Sequence, residues 1–366
     1  NRLPRQARRY YHGPSGEILD AFVFGRIEIG DTPVQVKVGQ HALVWGVSMV
    51  NSADAISFSQ QPSNLQKGAE LPGASPKELA MPLPQVSFQT QLSDTVSLSG
   101  YYQLDWEPNR QAEGGTFLGS PDFLYGPEGR IFTGAYTAGG DPIYVNQGEI
   151  IDPSDKYNNS YGVQLNLSPE WLGGGNIGLV YRRMNEMQPW VGLMTFDPTD
   201  LNVFSRFHQS YNTGVDLFGA YTNFSWMDIS WGAEISTRRG TALDSNANLI
   251  FDGDITGATG NTWHGLLNAQ VPMPNIPLYD TGIVVAEVSY SYLDKITHNE
   301  DRYWKCADTL ESAGCGERDA SSFSLIVSPS LGGLPALSVT PPVPARSAAP
   351  RCAGSRRSRR APPHRA

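Results

Sequence analysis

The sequence predicts an all-β protein, a transmembrane antiparallel up-and-down β-barrel with short periplasmic turns and long extracellular loops. Three observations predict it. Apolar and polar residues alternate with a period of two in ten segments and the start of an eleventh. The connections between those segments alternate between short and long without exception. Tyr and Trp gather near segment ends, where an apolar ring with a polar tip suits a boundary between oily and wet surroundings.

The alternation is clearest in the hairpin 84–106. Val86, Phe88, Thr90 and Leu92 alternate with Gln85, Ser87, Gln89 and Gln91. After the turn Ser93-Asp94-Thr95, Leu98, Gly100, Tyr102 and Leu104 alternate with Ser97, Ser99, Tyr101 and Gln103. A strict period of two places one face of each strand against an apolar medium and the other against water.

Taken in order, strand one runs near 19–29 and turns at Gly30-Asp31-Thr32-Pro33 into Val34, Val36 and Val38. A long segment, 41–83, leads to the hairpin above. Tyr161 to Leu167 then turns through 168–175 to Ile177, Leu179 and Tyr181. Val215, Leu217, Gly219 and Tyr221 belong to a strand closed by a tight turn at Met227-Asp228, followed by Ile229, Trp231, Ala233 and Ile235. Residues 263–271 pair across 272–280 with 284–292, and an eleventh strand begins near Ser321. The long loops are 41–83, 107–156, 185–212, 237–260 and 294–320. Bacterial outer-membrane barrels segregate short turns and long loops in this way. A soluble β-sandwich has no reason to do so, although some do.

Composition is compatible with this. Hydrophobic residues make up 40% and mean hydropathy is −0.32, values that would suit a soluble protein. No apolar run reaches the roughly 18 residues of a membrane helix. A barrel escapes that test because half of its strand residues face water. The net charge is −9, and the tail from Arg346 onward holds seven Arg and no acid. Removing those seven charges leaves −16 for the rest, which argues against nucleic acid as a partner. The expected divisions are an incoming remnant at 1–18, the barrel portion at 19–331 and a basic tail at 332–366. The tail reads as disordered or as translation in a shifted frame. No charged n-region or apolar h-region follows Asn1, so an export signal is expected to be missing from this stretch of sequence.

Residues 34–124 carry the runs VQVKVGQHALVWGVSMVNSADAIS, KGAELPGASPKELAMPLP, SLSGYYQLDWE and GGTFLGSPDFL. This pattern resembles the domain-of-unknown-function 1302 family, presumed outer-membrane barrels of Gram-negative bacteria. The resemblance extends at lower specificity to about residue 330. It implies a location in the bacterial outer membrane and contact with its lipids. It also implies passage of a small or hydrophobic cargo, alone as a porin-like channel or with an envelope export partner. Family members are longer, so the resemblance implies missing closing strands. It carries no catalytic residues, and no enzymatic activity or cofactor is expected. The alternative is a non-transporting surface barrel that binds a ligand or partner through its long acidic loops.

Segment 41–83 is too long and too patterned for a slack loop. Ser75-Pro76-Lys77-Glu78 reads as an N-cap, a first-turn proline and a capping-box glutamate, and Pro82 and Pro84 end that helix. Two readings stand. The segment folds into the lumen as a constriction with Lys67, Glu70, Lys77 and Glu78 at the eyelet, or it lies over the barrel mouth. Arg26, Glu28, Lys37, Asp105, Arg182, Asp216, Glu234 and Glu287 are expected on the polar, lumen-facing side of their strands. Cys306 and Cys315, in an oxidising envelope, read as a local disulfide. Asp244, Asn246, Asn248 and Asp252 resemble the start of a calcium loop, but position six is Leu249 and position twelve Ile255, which defeats an EF-hand. No metal site is expected elsewhere. Six scattered His lack triad or metal spacing, and no nucleophile elbow or phosphate loop is present.

Overall fold

A computed structural model describes residues 16–70, 76–112, 130–151, 153, 160–195, 206–245, 249–250, 255–276, 280–305 and 316–330. It contains the strands β1 (Ala21–Ile29), β2 (Thr32–His41), β3 (Leu83–Ser93), β4 (Val96–Gln103), β5 (Arg130–Tyr136), β6 (Pro142–Ile151), β7 (Tyr161–Leu167), β8 (Asn176–Met184), β9 (Pro189–Thr195), β10 (Arg206–Tyr211), β11 (Val215–Trp226), β12 (Ile229–Ala242), β13 (Leu249–Ile250), β14 (Thr259–Met273), β15 (Thr281–His298) and β16 (Asp319–Ser330). Eleven of them form one antiparallel sheet in the order β1-β2-β3-β4-β7-β8-β11-β12-β14-β15-β16. These are the eleven segments marked by the period of two. The sheet is open: β1 and β16 are its edges, so among the described residues it is not closed into a barrel.

Sequential antiparallel neighbours put every second connection at the same end. The short turns therefore share one end of the sheet and the long connections the other. The β11–β12 turn, like those of β1–β2 and β3–β4, has two residues. Met227 and Asp228 both adopt positive φ, 53° and 58°, as a two-residue turn between twisted strands demands.

The long connections are more structured than the sequence suggested. Three of them contribute β5, β6, β9, β10 and β13 to a second sheet in the order β13-β9-β10-β6-β5. Its β10–β6 and β13–β9 pairings are parallel and join different loops. Segment 41–83 holds two short helices, Leu65–Glu70 and Pro76–Leu79. The second is a single turn of four residues.

The faces of the large sheet are inverted relative to a soluble protein. One face carries an exposed apolar ladder in register: Leu165 opposite Leu179, then Ala220, Ile235, Gly265 and Tyr290 across successive strands. A neighbouring row joins Ala233, Leu267, Val288 and Phe323. Ile235 is 56% exposed and Phe323 63%. The opposite face is polar and buried, with Gln164, Arg182, Glu234, Arg238, His264, Asn268 and Glu287 all enclosed. Burying charged groups while exposing large aliphatics is costly in water, and a soluble fold does the reverse.

Candidate functional site

What encloses the polar face is the chain itself. Residues 43–60 leave β2 and fold back across the sheet in a series of bends and turns. Trp45 stacks edge-on against Tyr101 of β4, with ring centroids 5.0 Å apart. Six residues later, the Asn51 amide donates to Ser322 Oγ of β16 at 2.9 Å. Seven strand spacings of about 4.8 Å separate β4 from β16 along a flat sheet, roughly 34 Å. Six extended residues reach at most about 21 Å. The side chains at both ends and the curl of the sheet make up the difference, and we call residues 43–60 the plug.

Two carboxylates hold the plug by its amides. Glu287, 2% exposed, accepts from the backbone N–H of Met49 at 2.7 Å, Val50 at 3.1 Å and Asn51 at 2.5 Å. Glu234 accepts from the N–H of Val47, of Ser48 at 2.8 Å and of Ile56 at 2.7 Å. Successive N–H groups converging on one carboxylate form an anion-binding concavity, here filled from the wall. Two guanidinium groups hold the plug by its carbonyls. Arg182, fully buried, donates to Ile56 O at 2.5 Å and Phe58 O at 2.9 Å, and its Nε donates to Tyr101 Oη at 2.9 Å. Arg238 donates to Ala53 O at 2.6 Å and Ala55 O at 3.1 Å, and lies 3.9 Å over the Phe58 ring.

A third contact set fixes the centre of the plug. Asp54 Oδ1 lies 2.9 Å from His264 Nδ1, and its Oδ2 accepts from Ser289 Oγ at 2.5 Å and from the Asn51 amide at 2.8 Å. Burial pushes the Asp54 carboxyl up. The hydrogen bonds from His264 and Ser289 outweigh burial and hold it below the ordinary carboxylate value. Outside the plug, buried Glu186 accepts from Ala242 N at 3.0 Å, Asn212 Nδ2 at 3.1 Å and the Thr241 hydroxyl. Burial raises its pKa against those bonds.

Small wall residues let the plug lie close. A Cβ on Gly219 would stand 2.8 Å from Ile56 Cδ1, and one on Gly162 would stand 2.9 Å from Trp45 Cζ3. Ile56, Trp45, Tyr101, Val180, Met184, Val215, Leu217 and Tyr221 form the largest apolar cluster, which lies between plug and wall.

Of the wall charges expected to face the lumen, Arg182, Glu234 and Glu287 lie on the plug side, but as clamps on backbone groups. Arg26, Glu28 and Lys37 also lie on that side, near the β1 edge, where Lys37 Nζ sits 4.4 Å over the Phe22 ring. Asp216 is on the other face: Val215 and Leu217 turn inward to the plug, so Asp216 points outward beside Phe218. There it accepts from Tyr181 Oη at 2.9 Å and pairs with Arg183 at 3.2 Å. Val215, Leu217 and Tyr221 of that strand face the plug, while Phe218, Ala220 and Trp226 face outward. Asp105 lies past the end of β4 and caps its own neighbour, accepting from Trp106 N at 2.8 Å. Tyr101, Trp106 and Tyr221 are likewise internal and not at a boundary.

The eyelet residues lie elsewhere. Lys67 is on the first short helix, donating to Glu78 O at 3.1 Å and lying 3.8 Å from Glu17. Glu70 accepts from Gln66 Nε2 at 3.0 Å, and Glu78 is exposed on the second helix, which also carries Lys77. The side-chain bonds of Lys67 and Glu70 run to Glu78, Glu17 and Gln66 rather than to the plug. The sequence reading singled out charges in the later half of 41–83, whereas the bonds to the wall charges come from its earlier half. Its earlier half has few charges to draw notice, and what marks it is the complementary wall. Cys306, Cys315, Asn246, Asn248 and Asp252 lie outside the described residues, and Asp244 is exposed.

A family model described as a protein of unknown function, DUF1302, matches residues 1–348. The chain belongs to the DUF1302 family. The match spans the plug, all eleven strands of the large sheet and the loop sheet, so the DUF1302 pattern is that of the whole arrangement. No curated protein and no solved structure matches this DUF1302 chain.

Proposed function

We propose that this DUF1302 protein is a plugged outer-membrane β-barrel that passes a small or hydrophobic molecule across the bacterial outer membrane, alone or with an envelope export partner. The large sheet supplies the wall as an incomplete barrel, open between β1 and β16, and the plug controls the passage. The observation that carries this reading is the inversion of the sheet. A contiguous exposed apolar face suits lipid, and a buried charged face around a chain segment suits a lumen. Exposed Trp171 and Trp226 at the short-turn end, with Trp263 and Tyr292 toward the loop end, suit the two interfacial girdles. Its surroundings are the lipids of that membrane, and neither catalysis nor nucleic-acid binding is part of the reading.

The loop sheet favours a second reading. Three long loops joined by parallel pairing make a rigid platform at one end, which suits a surface barrel that binds a partner without transport. Planar-bilayer conductance separates the two. The full chain should insert and conduct weakly, and a variant with 47–58 replaced by a short Gly-Ser linker should give steady ohmic steps. Insertion with identical conductance in both would favour the surface reading. Failure to insert would overturn the membrane assignment.

A further inference from the structure

Beside the plug, a cavity of about 750 Å³ opens between the β1–β4 wall, β7 and the start of the plug. That volume is within the usual range for one small molecule, about 300–1,000 Å³. Its walls divide by chemistry. Arg26 and Lys37 project into it from β1 and β2, and no carboxylate is among its lining residues. Phe22, Leu43 and Trp45 supply an apolar side. At the β7 wall stands Gln164, 5% exposed, whose Nε2 donates to Tyr221 Oη at 2.7 Å. Its Oε1 is buried with no hydrogen-bond partner among the described residues. A buried acceptor left unpaired is costly, and a donor arriving in the cavity would relieve it.

We infer that this cavity binds a single-chain amphipathic acid: an anionic head at Arg26 and Lys37, an apolar body along Phe22, Leu43 and Trp45, and a hydroxyl toward Gln164. The inference rests on the membrane reading and names the cargo class for it. Leu43 and Trp45 belong to the plug, so an occupant touches the element that closes the passage. Cations select the acid over the neutral alcohol, and the distance between head and acceptor selects a chain that carries a distal donor. Four strand spacings separate β1 from β7, roughly 19 Å if measured flat, which suits an extended long chain.

The test uses the full chain refolded into nanodiscs of zwitterionic lipid, with a brominated long-chain fatty acid as quencher of Trp45. Saturable quenching should appear and be lost in W45F. The corresponding alcohol should not displace the acid, whereas the acid with a terminal hydroxyl should displace it more tightly than the plain acid. R26Q and K37Q should each weaken binding about three- to fivefold, and the pair about tenfold, as partly exposed charges do. Q164L should erase the preference for the hydroxyl. Equal binding of acid and alcohol, or binding indifferent to both cations, would overturn the inference. So would displacement by anionic phospholipid in the disc, which would assign the cavity to a lipid headgroup. Bilayer insertion of the same preparations keeps the two levels apart: a protein that inserts and fails to bind sinks the cargo class alone.

Discussion

Replacing Glu287 by Ala tests whether the wall carboxylates clamp the plug or only fill the interior. The side chain accepts three backbone N–H bonds, from Met49 at 2.7 Å, Val50 at 3.1 Å and Asn51 at 2.5 Å. Hydrogen bonds to a charged group contribute about 1.5–3 kcal/mol each, and water entering the vacated space recovers part of the loss. Taking the low end for all three gives about 4.5 kcal/mol. At about 1.4 kcal/mol per decade, that is roughly a thousandfold easier local opening. Glu287→Gln keeps one carbonyl acceptor and should lose about half as much in free energy. The readout is hydrogen exchange of the plug amides in refolded protein. Exchange at 49–51 should accelerate by about three decades in E287A while the wall strands stay protected. Glu234→Ala should act on 47, 48 and 56. The double variant should cost less than the sum, because one freed end already loosens the other. Unchanged exchange at 49–51 in a folded E287A protein would refute the clamp.

Three further outcomes follow from the same geometry. Leu267→Arg, on the exposed apolar face, should cost about 2–4 kcal/mol for protein folded in lipid, measured by denaturant titration in vesicles. In a water-facing sheet the same change would stay within about 0.5 kcal/mol. Gly162→Val should lower stability by about 1–3 kcal/mol, since its Cβ would meet Tyr101 Cε1 at 2.8 Å and Trp45 Cζ3 at 2.9 Å. Gly265→Ala, where a Cβ meets nothing within 4 Å, should be neutral in the same melts. Asp54 is held below its ordinary value of 3.8, so its contribution is present above about pH 4 and is lost as pH falls through the depressed value. Protease cleavage within the plug should rise on acidification, and D54N should flatten that rise.

Much of the architecture could be read directly. The eleven wall strands and the alternation of short and long connections rest on a local signal, a side-chain period of two punctuated by turn residues. The Val215–Tyr221 strand shows where that signal stops. Its period was clear, yet its face was not, because Val215, Leu217 and Tyr221 bury against an apolar part of the plug while Asp216 pairs outside with Arg183. Period alone says that two faces differ, and the partner decides which one turns inward. The loop sheet was missed in part for a related reason: its β10–β6 and β13–β9 pairings are parallel and join distant loops, so neither leaves a hairpin pattern, whereas β5–β6 and β9–β10 pair antiparallel within one loop each.

The sequence by itself determined the repeating strand, the order of pairing and the presence of a patterned insert after β2. Each depends on neighbours a few residues apart, where sterics and solvent exposure act directly. Only the tertiary structure decided what the polar face is for. Glu234 and Glu287 meet the plug amides across 186 and 238 residues of chain at Ser48 and Met49, and Arg182 meets its carbonyl at Ile56 across 126. A backbone N–H or C=O belongs to every residue type and carries no mark in the sequence. Which of them a buried charge will satisfy is therefore set by how the sheet curls, not by the letters of the plug.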